Sequence, residues 1–287
     1  MDELTENVKT SCGNTEPVLL VAVGGGVTMD VAKAVSICLK NQGGSAELQG
    51  WDKPTHRAVR KLAVPSISGT GAEASRTAVL INSVTGHKLG INSDYTKFDS
   101  VILDPELVRT VPDKLFFVNA MDAYLHAAEI LGGQFRNALS DSFAATSIDL
   151  ISEVFSEPNP RTELGHEKVM IASYLSGLAL TSSYVGLVHP LSAAIGVEYR
   201  IGHTMANLIS LRALKKFYPE TYDQVFEWAS RQNISIPTVS QLTGKNPDSE
   251  VLYEELRKHE RPLVNALGTE WQKKLSLEAF SSLVESL

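Results

Sequence analysis

Residues 16–33 read Glu16-Pro-Val-Leu-Leu-Val-Ala-Val-Gly24-Gly-Gly-Val-Thr-Met-Asp30-Val-Ala-Lys33, and this stretch decides the class of fold. Its first half is an almost unbroken apolar run, which predicts a strand buried on both faces that stops at a tight glycine turn. A helix is expected next. Thr28 offers an N-cap, Asp30 places a negative charge in the first turn where the macrodipole favours it, and Met29, Ala32, Val35 and Ile37 to Leu39 supply an apolar face. Strand, glycine turn and helix make one α/β unit. A second short strand, Leu62-Ala-Val-Pro-Ser-Ile-Ser68, runs into Gly69-Thr70-Gly71-Ala72-Glu73, another glycine turn able to open a helix or a loop. Both turns are of the kind whose amides suit a phosphate.

Farther along, Thr85-Gly-His-Lys88 has the composition of a hairpin turn, and the β-rich Asp99-Ser-Val-Ile-Leu-Asp104-Pro leads to Pro112, where the chain changes character. From Phe116 onward the apolar spacing is helical. It covers Met121 to Ile130, Phe143 to Phe155, Val169 to Leu180, His203 to Phe217, Val251 to Leu256 and Leu275 to Leu287, with Gly and Pro mostly between the runs. The expected architecture is an α/β half over residues 1–112 and an all-helical half over 113–287.

The chain has 287 residues, 43% of them hydrophobic and 21% charged, which places it with soluble globular proteins rather than disordered or membrane chains. Lys+Arg 26 against Asp+Glu 33 gives a formal charge of -7, so no overall basic field exists to hold nucleic acid or anionic lipid. Val18 to Val23 is far too short to span a bilayer, and the opening MDELTENVKT lacks the basic and apolar regions of a secretory signal. Neither Cys12 nor Cys38 lies in a CxxC or Cys/His pattern. A cytoplasmic location, with no nucleic-acid or membrane partner, is expected.

Asp122 and His126 stand four apart inside an expected helix, so their side chains leave one face and can reach one metal ion. Alone, such a pair is more often a plain hydrogen bond. His189, in Gly186-Leu-Val-His189-Pro, and His203, in Gly202-His203-Thr-Met-Ala-Asn207, change that balance. One carboxylate and three imidazoles suit zinc or ferrous iron and leave positions open for a substrate oxygen. His56, His87, His166 and His259 lie in polar, loop-like or charged surroundings, where exposure or a local hydrogen bond is the expected role. Glu73 reads as a helix-capping carboxylate or as one that supports the site from behind.

In order and separation these motifs resemble the group III, or iron-containing, alcohol dehydrogenases. The resemblance rests on Gly24-Gly-Gly-Val-Thr-Met-Asp30-Val-Ala-Lys33, Pro65-Ser-Ile-Ser-Gly-Thr70-Gly-Ala-Glu73, Asp104-Pro-Glu-Leu107, Asp122-Ala-Tyr-Leu-His126, and the later pair His189 and His203. It implies a Rossmann-like, dehydroquinate synthase-like α/β domain followed by an all-α domain. It also implies that Asp122, His126, His189 and His203 ligate Fe(2+) or Zn(2+), that the ion lowers the pKa of a bound alcohol, and that hydride passes to NAD(P). For the nucleotide it implies Gly25, Gly26, Val27 and Asp30, then Ser66 and Thr70, and Lys88 on the nucleotide side of the cleft. A homodimer is the family's common assembly.

The sequence departs from the family in several places. Val27 stands where serine is usual, which removes a hydroxyl but keeps the backbone amides. Ala193 replaces a frequent histidine four residues after His189, so a proton relay through that side chain is absent, and Thr204 replaces the glycine usual after His203. Family members also carry a further α/β segment ahead of this chain's first residue, which implies a truncated nucleotide domain with an unpaired strand edge. Loss of turnover, leaving a metal-binding relic of the fold, is one alternative reading; a general NAD(P)-dependent dehydrogenase of another small alcohol or polyol is the other. Residues 48–54, 64–80, 87–94, 101–112 and 257–268 are most similar to the 3-deoxy-manno-octulosonate 8-oxidase branch. That branch oxidises the C8 alcohol of an eight-carbon sugar acid to an aldehyde, which a pyridoxal-phosphate aminotransferase converts to an 8-amino sugar for lipopolysaccharide biosynthesis. The resemblance thus implies a sugar-acid substrate and a metabolic link to such an aminotransferase, with Arg76 and Arg200 as candidates to grip the carboxylate.

Overall fold

The apolar run and glycine turn do form the expected unit. In the computed structural model, which describes residues 1–13, 15–82, 86 and 88–287, helix α1 (Asp2–Ser11) precedes β1 (Leu20–Gly24) and α2 (Gly26–Cys38). The cap of α2 is Gly25, not Thr28, and Asp30 lies beyond the first turn, buried between α2 and the following strands. Then come β2 (Gly50–Trp51), β3 (Lys61–Pro65), β4 (Thr77–Ile81), β5 (Lys88–Asn92) and β6 (Ser100–Val101). One sheet has the order β1-β3-β6, all parallel, with Leu20 opposite Lys61 and Gly24 opposite Pro65. The other has the order β2-β5-β4, in which β4 and β5 run antiparallel. That is the hairpin the sequence indicated, although Thr85 and His87 of its turn lie outside the described residues.

The expectation that β1 is covered on both faces is not met. Ala22 packs inward with Met29 of α2, Ala63 and Ala72, whereas Val21 and Val23 are 56% and 60% exposed. Near-continuous apolarity marks a doubly covered strand only where helices lie on both sides of the sheet, and among the described residues α2 covers one. Among the described residues β1 is also an edge strand of its sheet.

Pro112 caps α3 (Asp113–Leu131), and the helical half continues through α4 (Ala138–Ser156), α5 (Glu163–Ala179), α6 (Val188–Tyr199), α7 (His203–Ala213) and α8 (Pro219–Arg231). Shorter helices follow: α9 (Val239–Thr243), α10 (Ser249–Leu256), α11 (Glu260–Leu267), α12 (Trp271–Lys274) and α13 (Leu277–Val284). Their shared core centres on aromatic contacts, with Phe155 edge-on to Phe117 at 5.4 Å and tilted against Trp228 at 6.0 Å. Helices α6 and α8 were not anticipated. Pro190 sits in the first turn of α6, where a missing N–H costs nothing, and α8 begins on Pro219 for the same reason.

The two halves meet backbone to backbone. A Cβ on Gly69 would stand 2.4 Å from the carbonyl oxygen of Asn119 in α3, and one on Gly177 of α5 would stand 2.2 Å from that of Gly71. Gly71 itself has φ +59°, a conformation glycine adopts without strain. The amides of Gly69 and Gly71 donate to Ser173 Oγ of α5 at 2.7 and 3.2 Å, so this turn is a structural clasp and its amides are not free for phosphate.

Charge is buried inside the α/β half. Lys33 is fully buried and its Nζ donates to Ser75 O at 2.9 Å, Ser75 Oγ at 3.1 Å and Thr77 O at 2.8 Å, with Asp30 and Glu73 as its neighbouring carboxylates. Glu73 therefore caps no helix, and its charged neighbour is Lys33. Burial pushes its carboxyl from 4.5 up to about 7, against the smaller opposing effects of its backbone hydrogen bond and Lys33. The folded state thus keeps this proton to higher pH than the unfolded chain does. Its contribution to stability is full below pH 4.5 and is lost as pH rises through about 7. Glu73→Gln is accordingly expected to gain melting temperature over the wild type, with the gap widening across that window and flat above it. Thermal melts across pH check this; a gap that does not change with pH would show that Glu73 does not titrate there.

Candidate metal centre and nucleotide turn

Helix α3 is buried along almost its whole length, and Asp122, His126 and Glu129 follow one another along one face of it at spacings of four and three. His189 projects from the first turn of α6 and His203 is the first residue of α7. The structure gathers all four expected ligands. Ligating atoms of Asp122, His189 and His203 lie within 4.8 Å of one another. Around Asp122 Oδ1, the Nε2 atoms of His189, His203 and His126 stand at 3.2, 3.7 and 4.0 Å, and the His126 ring stacks on that of His189 with centroids 4.2 Å apart.

Two orphaned atoms test whether a metal fits. Asp122 Oδ2 and His126 Nδ1 are buried without a hydrogen-bond partner, a costly arrangement for a carboxylate unless a cation completes it. Burial would push the Asp122 carboxyl up, but the imidazoles of His126 and His203 and the hydrogen bond from His189 more than offset this and hold it well below the usual range. Burial lowers His126 to about 3 and His203 to about 4, so both rings are neutral, the form that ligates. For His189 the effect of burial is overcome by Glu129 and Asp122, which raise it to about 9. One anionic oxygen among three imidazoles is a donor set for Fe(2+) or Zn(2+).

Glu129 is the residue the sequence reading missed. Its Oε2 accepts from His189 Nδ1, and its Oε1 accepts from Val188 N at 2.5 Å and from the Tyr218 hydroxyl at 3.4 Å. Tyr218 in turn accepts from Leu187 N at 3.0 Å, so one carboxylate fixes both the ring and the loop that presents it. Asn207, four residues after His203, donates Nδ2 to Asp122 Oδ1 at 2.5 Å. Position alone could have flagged both, since each continues the helical face of an expected ligand.

The nucleotide residues divide. Gly24 to Gly26 end β1 beside the end of β3, where Ser66 N donates to Gly24 O at 2.9 Å, and a Cβ on Gly26 would meet Thr70 Oγ1 at 2.8 Å. Gly25 caps α2 without a side chain, so the first-turn amides remain open, and Val27 beside them is 80% exposed. Gly25, Gly26, Val27, Ser66 and Thr70 therefore assemble at the carboxyl ends of parallel strands, where α/β sheets bind ligands. Asp30 and Lys88 stand apart from that turn. Asp30 faces Lys33 and the amide of Val79, while Lys88, at the start of β5, is partly buried with Asp122 and Asp30 as its nearest anions.

Of the two arginines suggested for a carboxylate, only Arg76 is engaged by neighbouring carboxylates among the described residues. Arg76 pairs with Asp52 and lies 3.9 Å from Asp94, and Arg200 is an exposed left-handed C-cap of α6. His56 is exposed and bonded to Thr55 Oγ1 at 3.0 Å, as expected, and His87 lies outside the described residues. His166, expected to be exposed or locally bonded, is instead only 6% exposed, and its Nε2 has no partner.

Two family descriptions match the chain, "Iron-containing alcohol dehydrogenase" over residues 2–105 and "Fe-containing alcohol dehydrogenase family, C-terminal" over 117–258. The chain belongs to the iron-containing alcohol dehydrogenase family. Among relatives, the sulfoacetaldehyde reductase of Bilophila wadsworthia is 28% identical over 190 residues, covering 66% of this chain and 49% of the other. The 4-hydroxybutyrate dehydrogenase of Clostridium kluyveri is 30% identical over 226 residues, covering 76% and 60%. The chain thus spans about half the length of the first of these and somewhat more of the second. The structure of a sulfoacetaldehyde reductase from Bifidobacterium kashiwanohense in complex with NAD+ shares the fold, with a TM-score of 0.81 at 24% identity over 100% of this chain and 79% of that one. Iron-containing alcohol dehydrogenases bind Fe(2+) or Zn(2+) and NAD(P), and the Asp122, His189, His203 cluster suits such an ion. Among the described residues no helix is long and apolar enough to cross a membrane.

Proposed function

We propose that the chain is a metal-dependent oxidoreductase acting on a primary alcohol, and that the alcohol is C8 of 3-deoxy-manno-octulosonate. The observation that carries the reading is the convergence of His189, His203 and His126 around Asp122, whose second carboxylate oxygen, Oδ2, is buried without a protein donor. A divalent ion held there supplies Lewis acidity toward an alcohol oxygen, and a nicotinamide nucleotide supplies the hydride acceptor. The residues do the rest. Glu129 holds His189 by Nδ1 so that Nε2 points inward, Asn207 fixes Asp122, and the open first turn of α2 offers amides to a pyrophosphate. Lys88 has Asp122 and Asp30 as neighbouring anions, which supports a role for its ammonium near the reacting end of a bound nucleotide.

An acidic substrate is supported by the relatives named for sulfoacetaldehyde and 4-hydroxybutyrate, both anions. On this reading the division at Pro112 separates nucleotide-binding and metal-binding domains, the protein works in the cytoplasm as a homodimer, and its aldehyde product feeds a pyridoxal-phosphate aminotransferase. Reduced-nucleotide formation tests the reading, with octulosonate set against simple alcohols and diols. Activity that requires Fe(2+) or Zn(2+) and favours the sugar acid is the expected result. Equal turnover of simple alcohols would overturn the substrate assignment, and no turnover by metal-loaded protein with any alcohol would leave the relic.

A further inference from the structure

Among the described residues, two groups stand out from the buried side-chain atoms without partners, which also include Ser68 Oγ, Arg76 Nε and the indole nitrogens of Trp228 and Trp271. One is the metal-ligand cluster, and the other is the pair Arg161 Nη1 and His166 Nε2. These two residues flank Phe116 at the start of α3: the Arg161 guanidinium lies 4.5 Å over the ring, and the His166 imidazole meets it edge-on with centroids 5.5 Å apart. Together with Pro105, Glu106, Arg109 and Glu163 they line a cavity of about 180 Å³ between the 3-10 turn Pro105–Val108 and α5.

The lining is rigid and mostly donating. Arg161 Nη2 donates to Arg109 O at 2.8 Å and Val111 O at 2.6 Å, and Nε lies 3.4 Å from Asp113 Oδ1, so Nη1 cannot swing away to find water. His166 is 6% exposed, and burial together with the neighbouring Arg161 charge keeps its ring neutral. Helix α5, of 17 residues, opens at Glu163, which lines the same cavity; its cap Thr162 accepts from Gly165 N at 3.0 Å and leaves the two amides before that one without an intrahelical partner. Two carboxylates also line it; Glu106 is engaged by Arg109 Nη1 at 2.7 Å, and Glu163 stands at the helix start.

Nη1 is a donor, and Nε2 of neutral His166 is a second donor in its Nε2–H tautomer, so one group that accepts from both would satisfy the two atoms together. We propose that this cavity is a phosphate site, binding inorganic phosphate or the phosphate of a small ester through Arg161 Nη1, His166 Nε2 and the first turn of α5. Such a ligand ties the turn after β6 to α5 and to the helix that carries Asp122, and by linkage it stabilises the folded chain.

The experiment titrates phosphate, and separately glycerol phosphate, against the full chain at neutral pH and constant ionic strength, reading melting temperature with chloride as control. Three proteins are compared: wild type, His166→Phe, and Glu106→Gln, which removes a competing charge and leaves both donors in place. A saturable rise with phosphate or its ester but not chloride is expected, about tenfold weaker in His166→Phe and several-fold tighter in Glu106→Gln. Tighter binding of the ester would identify an esterified ligand, and tighter binding of free phosphate the inorganic ion. A response identical in all three proteins puts the anion elsewhere, such as the first turn of α2, and overturns the proposal, as does a response no larger than that of chloride. Should His166→Phe fail to fold, the gain in Glu106→Gln decides alone.

Discussion

Replacing His189 and His203 together by alanine yields protein that purifies without stoichiometric iron or zinc, whereas Glu129→Gln alone weakens the same ion by about 10- to 100-fold. The double variant leaves Asp122 with only His126, whose Nε2 is 4.0 Å from its Oδ1, and two donors do not hold a borderline ion against buffer. Glu129→Gln acts at a distance. The native carboxylate accepts from His189 Nδ1 through one oxygen and from Val188 N through the other, whereas an amide has one acceptor oxygen and must turn an N–H₂ toward one of these donors. His189 then loses its fixed tautomer. Metal analysis by mass spectrometry and competition with a graded series of chelators check both expectations. Stoichiometric metal retained in the double variant would move the site elsewhere, and wild-type affinity in Glu129→Gln would show that the short loop before α6 orients His189 without help.

Gly177→Ala is expected to destabilise the chain by about 3 kcal/mol and to lower its melting temperature by roughly 6–12 °C. The added methyl would lie 2.2 Å from the carbonyl oxygen of Gly71, and the atoms it meets are backbone on both sides, so no rotamer change relieves the clash. Relief requires α5 to move from the turn, and that motion breaks the two hydrogen bonds that the amides of Gly69 and Gly71 donate to Ser173 Oγ. Gly202→Ala is the control, since nothing lies within 4 Å of a Cβ there and its φ is ordinary for any residue. Paired thermal melts separate the two. Equal losses would mean that the clasp between the halves yields freely.

What could be read in the sequence follows from which interactions are local. The apolar run before Gly24, the Asp122 and His126 spacing and the change of periodicity after Pro112 each reflect neighbours along one element, and each reappears in the structure. Helix α6 hid because its apolar residues leave no clear polar stripe and because Pro190 reads as a breaker until its first-turn position is known. Glu129 continues the helical face of Asp122 and His126, which marks its position, but its partners Val188 and His189 stand about sixty residues away, so the spacing does not reveal its role. The exposed face of β1 and the capture of the second turn by Ser173 depend on which helix lies over which strand, a matter of topology that a run of residues does not encode. The expected ligands were legible as a set because four residues of two metal-binding types, one Asp and three His, recur in an order, and the structure brings them together; their supports were not legible as such.

The contact of Gly69 with α3 and of Gly71 with Gly177 has a geometric consequence. Backbone in direct contact with backbone, bridged by Ser173 Oγ, leaves little room for adjustment, so the span from the second glycine turn to Asp122 is set by main-chain contact. Substitutions within the sheet or within the bundle can tune each end separately. The reach that a bound dinucleotide would have to bridge stays the same, because the ruler between the two ends is made of main chain.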